Sequence, residues 1–122
     1  MAGLTQARQQ AVLDLEFPTT GGTSHIAYST NGSSEAAILA RTPIGATGWA
    51  AATAATPSVK ANNAALTSAA ASSGGTVTHF AIYTALTGGT QNTDWTALAA
   101  SKTVTTGDQL TWAIGACVVT LD

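Results

Sequence analysis

Five apolar side chains near the start of the chain recur at the spacing of one helix face: Leu4, Ala7, Ala11, Val12 and Leu15. The pattern predicts a short amphipathic helix within residues 4–17, with Thr5 as its N-cap and Pro18 as its stop. Two roles are open for the apolar face. It packs on the edge of the domain, or it forms an arm that docks on a neighbouring subunit. We therefore take residues 1–17 as an N-terminal arm and these five side chains as candidate partner-binding residues.

From residue 18 onward the hydrophobic pattern shortens to that of β-strands, with Gly, Pro and Asn-Gly signals between the runs. The predicted strands are 24–30, 34–42, 76–85, 95–104 and 109–121, the last with Gly115 as a bulge or hairpin centre. Segments 49–56 and 61–71 are open between helix and extended chain, because they are rich in both Ala and Thr. Residues 18–122 are thus predicted to form one mainly β domain, an antiparallel β-sandwich or a small jelly-roll-like barrel.

Composition narrows the classes of function that this domain can have. Ala, Thr and Ser fill 57 of 122 positions, only 8% of residues are charged, and the formal net charge is −2. Four basic residues cannot neutralise a row of phosphates, so we expect no nucleic-acid partner. Apolar runs are too short to span a membrane, and the first residues lack the pattern of a secretory signal. The hydrophobic fraction of 45% with low charge is opposite to the signature of disorder, so the chain is expected to fold.

The residues that could carry chemistry are few. Cys117 stands in an apolar run, where a buried, unreactive thiol is expected, and a single cysteine allows no internal disulfide. His25 and His79 lie within predicted strands and are interpreted as hydrogen-bonded structural residues, with a catalytic base or a metal ligand as the alternative. No serine or cysteine stands in an activating motif, and the Gly-Gly pairs lack the rest of a phosphate loop. The sequence predicts no enzyme, no cofactor and no metal.

Three tryptophans are the largest apolar side chains: Trp49, Trp95 and Trp112. In a chain with few large aliphatic residues they are interpreted as core fillers. The alternative is a solvent-exposed platform on which sugar rings stack, as in a carbohydrate-binding module.

Several segments together carry a resemblance to a known family. They are the stretch GTVTHFAIYTALTGG at 75–89, the turn Gly107-Asp108-Gln109-Leu110, the run 62–66, and residues 25–28 followed by Glu35, Arg41 and Gly48-Trp49. Over residues 7–122 the chain resembles a family of small tailed-phage virion proteins, often labelled tail fibre or decoration protein.

The resemblance implies a structural role in a virion. It favours a capsid decoration (cement) protein on the outer capsid surface, assembled in the cytoplasm of the host bacterium. Its expected partners are the major capsid protein and further copies of itself, with a trimer favoured, and neither nucleic acid nor a membrane. The alternatives are a minor tail or tail-fibre protein and a carbohydrate-binding module that exposes Trp49 or Trp95. Low charge and the lack of active-site motifs agree with a structural protein that acts through contacts of its surface with other proteins.

Overall fold

A computed structural model describes residues 4–53 and 58–121. These ranges contain mainly antiparallel strands and one short N-terminal helix, consistent with a small β-sandwich, so the predicted fold class is confirmed. The elements are α1 (Gln6–Glu16), β1 (His25–Ser29), β2 (Thr42–Pro43), β3 (Ser58–Ala61), β4 (Leu66–Thr67), β5 (Gly75–Tyr83), β6 (Thr96–Val104), β7 (Thr111–Trp112) and β8 (Val118–Leu121). No helix in the described ranges is both long enough and apolar enough to cross a membrane.

The chain divides into two compact units, which are described separately. The first unit comprises Met1–Gly22, Ile44–Ala65 and Trp112–Asp122, and the second comprises Thr23–Pro43 and Leu66–Thr111.

In the first unit, α1 begins and ends where the sequence predicts. The Oγ1 atom of Thr5 accepts a hydrogen bond from the N–H of Arg8 at 3.4 Å, as an N-cap does. At the other end the N–H of Phe17 donates to the carbonyl of Leu13, and Pro18 follows. The helix packs against β3, with Gln9 and Leu13 as its buried residues.

The other part of the first unit is the antiparallel ladder of β3 with β8, in which Lys60 lies opposite Val119. The side chain of Asn62 stabilises the turn that leads into β8 through three hydrogen bonds. Its Nδ2 donates to the carbonyls of Ala64 and Ala113, and its Oδ1 accepts from the N–H of Cys117. Residues 109–121 therefore do not form a hairpin centred on Gly115, because β8 pairs with β3 and Gly115 lies in the connecting turn with φ +79°.

The second unit is built on a four-stranded antiparallel sheet in the order β2-β1-β5-β6. The two central strands, β1 and β5, supply most of its core, since both are dense in β-branched and aromatic residues. The fully buried side chains on these two strands are Ile26, Ala27, Tyr28, Ser29, Val77, Ala81 and Ile82. Strands β5 and β6 confirm the predictions for 76–85 and 95–104.

The predicted strand over 34–42 does not form, apart from the pairing of Thr42 and Pro43 with β1. Side chains of the preceding turn bind the backbone there instead. The Oγ of Ser29 accepts from the N–H groups of Asn31 and Gly32, and the Oδ1 of Asn31 accepts from those of residues 33 and 34. Such local hydrogen bonds compete with strand pairing and turn the chain early. Gly32 is required in this turn, because its φ is +75° and an added Cβ would lie 2.9 Å from the ring of His79.

Segments 49–56 and 61–71, which the sequence left open, contain no helix in their described residues. Residues 49–53 lie outside regular strands, with a single bridge from Trp49 to Asn62, and 61–71 contributes the end of β3 and the short β4. Residues 54–56 lie outside the described residues.

Candidate interaction surface

The side chains singled out for chemistry occupy structural positions. Cys117 is fully buried, and burial raises the pKa of its thiol to about 12, so the thiolate is scarce at neutral pH. The Nδ1 of His25 lies 2.7 Å from the carbonyl oxygen of Thr23, and the Nδ1 of His79 lies 2.7 Å from the Oγ1 of Thr78. The burial of Cys117 and the hydrogen-bond contacts of the two histidines agree with the structural roles expected for these three residues. Among the described residues no three His, Cys, Asp or Glu side chains come together in a way that could hold a metal ion.

Two of the three tryptophans are core residues. Trp49 is 1% exposed and packs on Phe17 with the ring centroids 5.2 Å apart, and Trp112 is also buried. This confirms the interpretation of both as core fillers and removes Trp49 from any exposed sugar platform. Trp95 is half-buried, and its ring centroid lies 6.2 Å from that of Tyr83 in the second unit.

The described part of the second unit contains a groove of about 570 Å³, lined by residues 35–41, Ala70, Ser72 and 86–88. Its charged groups are already engaged with each other. The Nε and Nη2 atoms of Arg41 donate to the two carboxylate oxygens of Glu35 at 2.8 Å each. Its Nη1 donates to the carbonyls of Ala85 and Gly88, and the guanidinium stacks 3.8 Å above the ring of Tyr83. Since four of the five N–H groups are used in this way, Arg41 is a clamp between two loops rather than a receptor for an anion.

The buried side of α1 contains polar side chains that are hydrogen-bonded within the first unit. The Oε1 of Gln9 accepts from both the N–H and the hydroxyl of Ser58, and its Nε2 donates to the carbonyl of Leu4. Lys60, which is fully buried, donates from its Nζ to the Oδ1 of Asp14 at 2.6 Å. The same oxygen accepts from the N–H of Ala52, so three segments meet at one carboxylate. The position of α1 is therefore held by directed hydrogen bonds as well as by Leu13.

The predicted apolar face of α1 is on the opposite side of the helix. All five of its members are exposed in the described structure: Leu4, Ala7, Ala11, Val12 and Leu15. Leu15 is 82% exposed, Leu4 49% and Val12 44%. This face does not pack on the edge of its own domain in the structure. The structure instead leaves these apolar side chains open to solvent, while the other side of the same helix is buried and hydrogen-bonded.

Sequence reasoning missed the residues that anchor α1. Gln9 breaks the apolar pattern of the face that is buried, and Lys60 stands between Val59 and Ala61 in a strand. The only available signal was that a lysine inside a strand needs a carboxylate when it is buried, and the chain has only six acidic residues that could supply it.

Comparison with known proteins agrees with the resemblance. A sequence model of the family described as Podophage GP4 fiber I protein gp80 matches residues 7–120, and the chain belongs to this family of phage virion structural proteins. Among curated proteins no match to the chain is found.

Proposed function

Because the chain belongs to this phage fibre family, we propose that it is a non-enzymatic structural subunit of a virion fibre, attached to its neighbour through the exposed face of α1. The observation that carries the proposal is that Val12 and Leu15 on α1, and Leu4 two residues before it, are apolar and exposed while the other side of the helix is buried. Apolar helix faces of this kind are recognised by apolar grooves in a partner protein. The expected occupant is such a groove on an adjacent virion protein.

A capsid decoration protein, the function favoured by the sequence, would use the same surface at another place in the particle. Its groove would belong to the major capsid protein, and self-association as a trimer would accompany it. The family to which the chain belongs is described as a fibre protein, and this favours the fibre location. The two locations differ in copy number, since a cement protein is present in hundreds of copies and a fibre protein in few.

The test is complementation of a phage that lacks this gene with a Val12→Glu/Leu15→Glu variant. A double substitution is preferable to removal of residues 1–17, because removal would also delete Asp14 and leave the ammonium of Lys60 buried without its carboxylate. We expect the variant to fold, as judged by circular dichroism, and to be lost from purified virions.

The matched control is Gln6→Glu, which adds a negative charge at another exposed position of α1. Immunogold labelling and copy number of the wild-type protein distinguish fibre from capsid surface. Full occupancy of the Val12→Glu/Leu15→Glu variant would show that attachment does not use α1.

A further inference from the structure

The groove in the second unit has one wall, residues 35–41, that is hydrogen-bonded to two other segments of the same unit. The N–H of Ser72 donates to the carbonyl of Ile38 at 2.9 Å. The Nη1 atom of Arg41 donates to the carbonyls of Ala85 and Gly88. Because these contacts hold the wall in place, the groove of about 570 Å³ is formed without a partner. Its volume is in the range of protein binding sites, roughly 300–1,000 Å³.

The lining of this groove is mainly apolar. It includes Ile38, Leu39 and Leu86, and four further lining residues are alanines. The polar side chains among them are largely engaged, since the Oγ of Ser72 donates to backbone carbonyls and Arg41 uses four of its five N–H groups. A small polar ligand would find few hydrogen-bond partners here, whereas apolar side chains of another protein need none.

The charge that the groove presents to solvent is negative. The side chain of Arg41 is only 7% exposed, whereas that of Glu35 is 32% exposed. Each carboxylate oxygen of Glu35 accepts one hydrogen bond from Arg41, and such an oxygen can accept a second. A protein segment that suits this groove therefore has apolar side chains and one cation among them.

The exposed face of α1 has this composition. Arg8 lies three residues before Ala11, four before Val12 and seven before Leu15, so these side chains share one side of the helix. Arg8 is exposed, and its guanidinium forms no ion pair among the described residues. The chain therefore contains both halves of a complementary contact, an apolar helix face with a cation and an apolar groove with a carboxylate.

We propose that the exposed face of α1 of one copy docks in the groove lined by residues 35–41 and 86–88 of a second copy, with Arg8 beside Glu35. This inference rests on the proposed function and names the neighbour to which α1 attaches. Val12, Leu15 and Leu86 are exposed within a single copy, so both surfaces are open to a second one. Because the contact joins two different surfaces, copies associate head to tail, as a ring or as an open chain.

The first experiment separates the two halves of the contact in purified full-length protein. Val12→Glu/Leu15→Glu changes only α1, and Ala37→Glu/Leu86→Glu changes only exposed positions of the groove, so both variants should keep the wild-type circular dichroism spectrum. In sedimentation equilibrium we expect the wild-type protein to associate and each variant alone to have a dissociation constant at least tenfold higher.

An equimolar mixture of the two variants is the decisive sample. The Val12→Glu/Leu15→Glu variant keeps an intact groove, and the Ala37→Glu/Leu86→Glu variant keeps an intact α1. We therefore expect a one-to-one heterodimer with the dissociation constant of the wild-type contact and no larger species, because each partner has only one working surface.

The second experiment tests the placement of Arg8. Arg8→Glu puts a carboxylate beside Glu35, and we expect the dissociation constant to rise about threefold, a small change because the pair is exposed to solvent. Lys102→Glu makes the same change of charge at an exposed position outside both surfaces and should leave the constant unchanged. Equal effects of the two variants would contradict the placement of Arg8 beside Glu35.

A wild-type protein that stays monomeric at all accessible concentrations would overturn the proposal. So would a groove variant that associates as the wild type does, or a mixture that forms no heterodimer. Virion occupancy distinguishes this failure from failure of the proposed function. If Val12→Glu/Leu15→Glu is lost from virions while Ala37→Glu/Leu86→Glu remains at full occupancy, α1 attaches to a virion protein of another kind. The proposed function would then stand, and the groove of a second copy would not be the partner of α1.

Discussion

Lys60 is a fully buried ammonium group in a chain that has only four basic residues. Its partner, Asp14, is 45% exposed in its side chain, so the ion pair stands at the boundary between the interior and solvent. A buried charge is tolerated only when it is paired and hydrogen-bonded. Asp14 also binds the N–H of Ala52, and this single carboxylate therefore holds α1 to two other segments of the first unit.

Asp14→Asn tests the strength of this connection. The neutral amide is a weaker acceptor for Lys60, so we expect the free energy of unfolding at neutral pH to fall by about 1 kcal/mol, a modest value because Asp14 is half-exposed. Urea denaturation measures the change. Adding Lys60→Met should recover much of the loss, because an apolar side chain of similar length needs no carboxylate. Unchanged stability of Asp14→Asn would show that the pair contributes nothing.

The same pair sets a pH dependence. The hydrogen bond from Lys60, and then that from the N–H of Ala52, lower the pKa of Asp14 below its usual 3.8. The folded protein binds this proton less readily than the unfolded chain, so the contribution is complete above 3.8 and is lost as the pH falls through the lowered pKa. The stability difference between wild type and Asp14→Asn should accordingly be constant from pH 7 down to about pH 5 and close only in more acidic solution.

At the scale of elements, strong local patterns were predictable and the burial of α1 was not. Dense β-branched and aromatic residues between Gly pairs place β5 correctly, and Thr5 and Pro18 bound α1. The side of α1 that is buried depends on Gln9 and its hydrogen bonds to Ser58, 49 residues away in sequence. Helical periodicity assumes that the most apolar face is buried, and here directed polar contacts outweigh that rule. The sequence therefore identified this face as a candidate binding surface, but it gave no reason to expect the face to be exposed to solvent.

The conformation of the loop from 34 to 41 was likewise not predictable from the local sequence pattern. Its apolar residues favour a strand, but the turn at Asn31 and the engagement of Arg41 with Glu35 and two carbonyls hold it in another path. These contacts join residues up to 47 positions apart, and no local pattern reports them. The charged pair Glu35 and Arg41 was noted as part of the family resemblance. That Arg41 holds two loops together is visible only in the structure.

Arg41→Lys tests the clamp. Lysine has one ammonium group and cannot donate to the Glu35 carboxylate in two parallel bonds while also reaching the carbonyls of Ala85 and Gly88. Because Arg41 is 8% exposed, we expect a loss of about 2 kcal/mol in unfolding free energy and faster amide hydrogen exchange over residues 84–90. Lys102→Arg, at an exposed cation, is the matched control and should change neither. Wild-type exchange rates in the 84–90 loop of Arg41→Lys would contradict the role given to Arg41.

At the scale of the whole molecule, low charge limits the ways in which the chain can recognise a neighbour. Four of its ten charged residues form the two ion pairs described above, Glu35–Arg41 and Asp14–Lys60. The net charge is only −2. Long-range steering needs a field that such a surface does not produce. Association must then depend mainly on apolar area, which agrees with the exposed apolar side chains of α1.

Salt dependence tests whether attachment through α1 is apolar. Raising NaCl from 0.1 to 1 M shortens the Debye length from about 10 to about 3 Å, which screens exposed charges and leaves apolar contacts intact. Attachment to virions through Leu4, Val12 and Leu15 should therefore change by less than about twofold across this range, measured as occupancy after gel filtration of the particles. A tenfold loss of virion attachment in high salt would assign that contact to charges, and the apolar face of α1 would then not be its basis.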